Sequence, residues 1–145
     1  MNKLAILIGT GALVASTLLF FRGCDSSESP ANASAIGVYY VPIGAETLVA
    51  ITSESIEQRG RRCEIPAAKD IRAIRKVLNS ATDPTSEKFS NKLVRAKLFE
   101  ISAMGSKLIA VVENNGLAKF PTGQERLIST KGMETLKKVI ERQCE

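Results

Sequence analysis

Leu108-Ile109-Ala110-Val111-Val112-Glu113-Asn114-Asn115-Gly116-Leu117-Ala118-Lys119-Phe120 is the stretch that decides the fold. Residues 108–112 are a continuous apolar run, short enough for a strand and suited to the centre of a sheet. Asn114-Asn115-Gly116 follows at once, and Asn-Gly tolerates the positive φ angles of a tight hairpin turn. Residues 117–120 then read as the return strand. A hairpin here implies antiparallel pairing, so the sheet is expected to be mainly antiparallel.

Working outward, Gly105-Ser106 predicts a turn, and a strand is expected over residues 93–101. Its alternation is imperfect. Val94, Ala96 and Leu98 share one face, while Phe99 and Ile101 fall on the other. Either both faces are partly covered or a bulge intervenes. On the other side, Pro121 and Gly123 make a turn before a last strand at 125–128. Thr130 can cap a final helix whose buried stripe is Met133, Leu136, Ile140 and Cys144.

Upstream, Pro66 suits the first turn of a helix. Ile71, Ile74, Val77 and Leu78 recur at helical spacing, and Lys69, Arg72, Arg75 and Lys76 fall mostly opposite. This amphipathic helix ends near Ser80, and residues 81–91 form a polar loop. Residues 37–41 and 47–52 are short β-rich runs joined through Pro42 and Gly44, which predicts a second hairpin. Residues 52–57 have helix-start chemistry, but Gly60 stops any helix within two turns; residues 62–65 read as a short strand. The expected fold is α+β: an N-terminal transmembrane or signal-anchor helix, then one small, mainly antiparallel sheet with two helices packed on one side. The domain organisation is residues 1–24 as membrane anchor or signal segment, 25–36 as flexible polar linker and 37–145 as a single exported α+β domain.

Residues 4–21, LAILIGTGALVASTLLFF, carry no charge and no polar stripe. As a helix they span about 27 Å, just enough to cross a thin bilayer. Three readings stay open. An uncleaved signal anchor explains most, with Phe20 and Phe21 near one interface and a polar linker following. A lipoprotein signal would make Cys24 the lipidation site: Gly23-Cys24 resembles a lipobox, although Arg22 stands where such motifs avoid charge. A cleaved secretory signal has a small-x-small site only at Ala33-Ser34-Ala35, well beyond the apolar run. Lys3 and Arg22 nearly balance, so they specify orientation weakly. The linker, rich in Ser with Pro30, reads as a tether.

The formal charge is +5, and removing Lys3, Arg22 and their neighbours leaves about +3 after residue 24, short of the footprint of a dedicated nucleic-acid binder. Three cysteines are present. Cys24 adjoins the apolar segment, which leaves Cys63 and Cys144 as a pair in the domain. They lack CxxC spacing and there is no His, so neither a metal site nor a cofactor is expected. An oxidising compartment would join them as a disulfide.

Without His, Ser-His-Asp and Cys-His arrangements are impossible, and no SxxK or P-loop occurs. Glu54 and Glu57, Glu100 and Glu113, and Glu134 and Glu141 are the candidate carboxylate pairs, and Glu100 and Glu113 are expected on adjacent strands. With few aromatics to line a sugar cleft, they read as solvated surface acids, and no enzyme is expected. The most suggestive feature is basic: Arg59, Arg61 and Arg62 lead into the helix carrying Lys69, Arg72, Arg75 and Lys76. As one patch they would attract an acidic protein or an anionic lipid surface. The expectation is therefore a membrane-tethered, non-enzymatic envelope protein, its domain on the periplasmic or extracellular side, binding another protein as an inhibitor or immunity protein does. The alternative is a structural subunit of an envelope or secretion assembly.

Overall fold

The computed structural model describes residues 35–84 and 86–145. The apolar run at 4–21, Cys24 and the linker up to residue 34 lie outside the described residues. Among the described residues no helix is long and apolar enough to cross a membrane.

Nine elements follow one another: β1 (Ala35–Tyr40), α1 (Ile56–Arg59), β2 (Arg61–Ile65), α2 (Ala68–Asn79), β3 (Val94–Ser102), β4 (Gly105–Glu113), β5 (Leu117–Lys119), β6 (Glu125–Leu127) and α3 (Thr130–Cys144). The strands form one six-stranded sheet, order β2-β1-β3-β4-β5-β6, with every pairing antiparallel. The fold is α+β. The hairpin at 113–116 is where the Asn-Gly chemistry put it. Its geometry is simpler than expected, since only Gly116 takes positive φ, at 89°. Asn115 instead accepts a hydrogen bond from the Leu117 amide through Oδ1, at 3.1 Å. A side chain at Gly116 would also meet the Ile128 carbonyl at 2.8 Å, so two constraints select glycine.

The hairpin expected between 37–41 and 47–52 is not formed. β1 pairs instead with β2 on one side and β3 on the other, Val38 facing both Cys63 and Leu98. Residues 47–50 carry no strand, and Ile51 makes only an isolated parallel bridge to Leu93. A two-stranded hairpin of this length buries little by itself, whereas a central position for β1 buries Ile36, Val38 and Tyr40 almost completely. β1 also begins at Ala35, ahead of Gly37.

The imperfect alternation has a physical cause on each strand. The β3–β4 register shifts between Val94 and Ala96 and again between Leu98 and Phe99. At the second shift Ile109 is the extra residue on β4. Ile109 and Ala110 therefore both pack with the helices, while Leu108 and Val111 pack on the opposite face. Both faces are partly covered as well.

The main core lies between α2, α3 and one sheet face: Ile71, Ile74, Val77 and Leu78 of α2 and Leu136, Val139 and Ile140 of α3 meet Ile36, Val38, Leu98 and Val112. The two helices run antiparallel across the strands. Asp70 at the start of α2 meets Arg142 at the end of α3, and a Cβ on Gly132 would lie 3.3 Å from Val77. Ser129, one residue before Thr130, supplies the cap of α3, its hydroxyl accepting from the Gly132 amide at 3.2 Å. α2 begins at Ala68, so Pro66 stands just before it rather than in its first turn. A smaller cluster, Ile51, Ile56, Val94 and Val111, covers part of the other sheet face beneath α1.

Cys63 on β2 and Cys144 at the end of α3 stand at disulfide distance, Cα to Cα 5.6 Å across 81 residues of sequence. The link ties an edge strand to the last helix. The Tyr40 hydroxyl donates to the Cys144 carbonyl beside it, at 3.3 Å.

Candidate functional site: the outer face of the helix layer

The apolar stripe of α2 points into the core, and that fixes where its cations go. Lys69, Arg72, Arg75 and Lys76 all fall on exposed positions. Arg72 is three residues from Lys69 and from Arg75 and four from Lys76, so the four make one solvent stripe. α3 lies alongside with the same logic, and Lys131 and Lys138 are exposed on it. Among the described residues, Lys69, Arg72, Lys76, Lys131 and Lys138 have no carboxylate within ion-pair distance. The acids of this layer are mostly engaged, with the exception of Glu134, which is exposed on α3 one turn from both Lys131 and Lys138. Asp70 is held by Arg142 and Glu141 by Lys137 at 3.7 Å, while Glu100 beneath is held by Arg75. The helix layer therefore concentrates positive charge on one side of the sheet.

The other three cations of the expected patch divide. Arg61 lies on the helix side of the edge strand β2, 3.8 Å from Glu145 at the end of α3. Arg62 is on the opposite face, over the Tyr39 ring at 5.7 Å and 3.5 Å from Glu64. Arg59 ends α1, which packs through Ile56 on that same opposite face. Alternation along β2 separates Arg61 from Arg62 whatever the surroundings. Lys131 and Lys138 were missed at the sequence level. Their place opposite Met133, Leu136 and Ile140 is readable from helical spacing, but the side-by-side packing of α2 and α3 is a long-range fact.

The acid pairs also resolve. Glu100 pairs across the β3–β4 ladder with Lys107, and Glu113 with Val94, at opposite ends of the hairpin, so these two carboxylates do not approach. Glu113 is no surface acid: it is 0% exposed, and its Oε1 accepts from the Ser90 hydroxyl at 2.7 Å and amide at 3.1 Å. This ties the 86–92 loop to the end of β4. Arg95, 3% exposed, occupies the first register shift and donates to the carbonyls of Ala45 at 3.0 Å and Val94 at 3.1 Å. The loop after β1 is thereby pinned to β3. It exposes Leu48 and Val49.

On the face away from the helices a groove of about 380 Å³ is lined by Phe89, Leu108, Val111, Phe120, Lys97 and Lys119. Its charged groups already have neighbours. Lys97 reaches Glu57 and the Ser53 carbonyl, and Lys119 sits over the Phe89 ring at 5.7 Å. Glu54 at the rim accepts from the Ser53 hydroxyl at 2.8 Å and the Asn91 amide group at 3.3 Å. Hydrogen bonds, the one from Ser53 first, hold its carboxyl down at about 2, below the ordinary 4.5. Among the described residues no three of His, Cys, Asp and Glu converge on a point that could hold a metal ion.

No family model, no curated protein and no solved structure matches this chain.

Proposed function

We propose that this chain is a membrane-tethered, non-enzymatic protein of the cell envelope whose disulfide-tied domain binds an acidic partner protein through the outer face of α2 and α3. The single observation that carries the reading is the set of five cations, Lys69, Arg72, Lys76, Lys131 and Lys138, on one layer whose acids mostly point to other partners. Charge gathered in this way steers association and selects partners by sign. The apolar run at 4–21 and the polar linker supply the tether, and a Cys63–Cys144 pair suits an oxidising compartment. A periplasmic inhibitor or immunity protein is the specific form, in which the rigid domain neutralises a toxin or hydrolase.

The test is cross-linking in intact cells followed by recovery of the chain, comparing wild type with Lys69→Glu, Arg72→Glu and Lys76→Glu combined. A soluble acidic protein is expected with the wild type and lost with the triple reversal. Unchanged capture would discard the helix layer as the binding face.

A second reading, a structural subunit of an envelope or secretion assembly, is favoured by one observation. Leu48, at 108% relative exposure, and Val49 are adjacent exposed apolar residues on a loop that Arg95 anchors. Under that reading the same experiment returns a ladder of membrane proteins that survives the charge reversal and fails with Leu48→Ser.

A further inference from the structure

The end of the sheet at which the preceding chain enters is also the end from which the β3–β4 hairpin projects. Ala35, the first residue of β1, pairs with Ile101, and the hairpin tip follows within the next few residues. Every residue from 102 to 107 is exposed, and Met104 at the apex is fully so, at 100%. Ile101-Ser102-Ala103-Met104-Gly105-Ser106 carries no charge, and Lys107 stands at the neck. The tip is locally braced, since Ser102 Oγ accepts from the Met104 amide and donates to the Gly105 carbonyl, both at 3.3 Å.

The tether sets a length scale. Between Phe21 and Ala35 lie residues 22–34, and a flexible chain of that length spans roughly 20 Å root-mean-square. A lipid on Cys24 would leave a shorter tether still. β3 and its hairpin measure about 30 Å along the strand direction. By that root-mean-square measure a tether of this length keeps the Ala35 end nearer the bilayer than the opposite end of the sheet.

We propose that the β3–β4 hairpin tip is a membrane contact: Met104 enters the interfacial zone of the bilayer that receives residues 4–21, and Lys107 lies at the level of anionic headgroups. An uncharged, exposed tip with an apolar apex and a cation at its neck has the polarity profile of that interface. This contact stands the strands upright. The outer faces of α2 and α3 then look sideways, and Leu48 and Val49 sit at the far end. The inference rests on the anchoring part of the reading above and not on its choice of partner.

Full-length protein is reconstituted in vesicles of phosphatidylethanolamine and phosphatidylglycerol, with photoreactive benzoylphenylalanine in place of Met104 or, separately, of Leu48. After irradiation, mass spectrometry is expected to find phospholipid joined to position 104 and not to position 48. Both positions are exposed, so neither replacement disturbs packing. Vesicle-bound protein with equal lipid adducts at both positions, or with none at 104, overturns the membrane contact while leaving anchoring intact. Protein that fails to float with the vesicles overturns anchoring and the contact together.

Discussion

Arg142, near the end of α3, donates a hydrogen bond to the carboxylate of Asp70, which lies in the first turn of α2 and is only 3% exposed. This contact sets the two helices side by side. Asp70 also stands where a helix N-terminus favours negative charge. The guanidinium is more than half exposed, so water screens part of the attraction. Arg142→Ala is expected to cost about 1–2 kcal/mol, mainly by leaving a buried carboxylate short of a partner. In a double-mutant cycle with Asp70→Asn, chemical denaturation should show a coupling of about 1 kcal/mol. Additive losses would mean that the pair does not register the helices.

Arg95 is the second buried charge with a structural task. Its guanidinium binds the carbonyl oxygen of Val94 on its own strand and that of Ala45 in the loop after β1, which holds the 42–50 loop against β3. Arg95→Met keeps most of the volume and removes the donors. A loss of about 1–3 kcal/mol is expected, since the Ala45 and Val94 carbonyls lose their charged partner. Hydrogen exchange should quicken in residues 42–50 and stay slow in α3. Uniform loosening would show that Arg95 supports the whole core rather than the loop.

Much of this arrangement could be read from the sequence, and the division between legible and illegible is physical. Turn chemistry and helical spacing are local, so Asn115-Gly116, the α2 stripe and the α3 stripe located their elements closely. The partner of β1 is not a local property. Residues 47–52 are near in sequence and β-branched, yet β1 pairs with Cys63 and Leu98, which bury Val38 on both sides. Glu113 reads as a surface acid in the sequence because nothing adjacent announces its hydrogen bond from Ser90, which is distant along the chain. The basic patch was half legible for the same reason: helical spacing gathers Lys69, Arg72, Arg75 and Lys76, but whether Arg59 and Arg62 join them depends on which side of a sheet each element takes.

The Cys63–Cys144 link closes a long loop around β2, α2, the four later strands and α3. On the chain-entropy view such a bridge is worth about 4 kcal/mol. Unfolding free energies from denaturant titrations with and without reductant should differ by about that amount, and the Cys63→Ala, Cys144→Ala double variant should match the reduced protein. Because Ile65, Leu136 and Ile140 are packed in the core independently of the sulfurs, the reduced protein should keep its helical circular dichroism at low denaturant. Loss of that signal on reduction alone would show that the bridge is required for the fold.

Glu54 gives the domain an acid-side dependence with a definite sign. Its carboxylate accepts hydrogen bonds from Ser53 and Asn91, and the charged form is favoured in the folded state, with the pKa at about 2 against 4.5. A depressed folded pKa contributes stability that is present above the unfolded value and is lost as pH falls toward the folded one. The contribution is therefore full above about pH 5 and fades between there and pH 2. Glu54 is exposed, so the effect is small and weakens with salt. Its local consequence is sharper. Asn91, the one described non-glycine residue with positive φ, at 56°, binds both Glu54 and the Ser53 amide, which joins the 52–55 turn to the 86–92 loop. Carbon-detected titration of the side chain should give a midpoint near 2, and Asn91→Ala should raise it. Glu54→Gln should flatten the pH dependence of stability between pH 2 and 5. A Glu54 midpoint at the ordinary carboxylate value would mean that the Ser53, Thr52 and Asn91 hydrogen bonds to it do not form in solution.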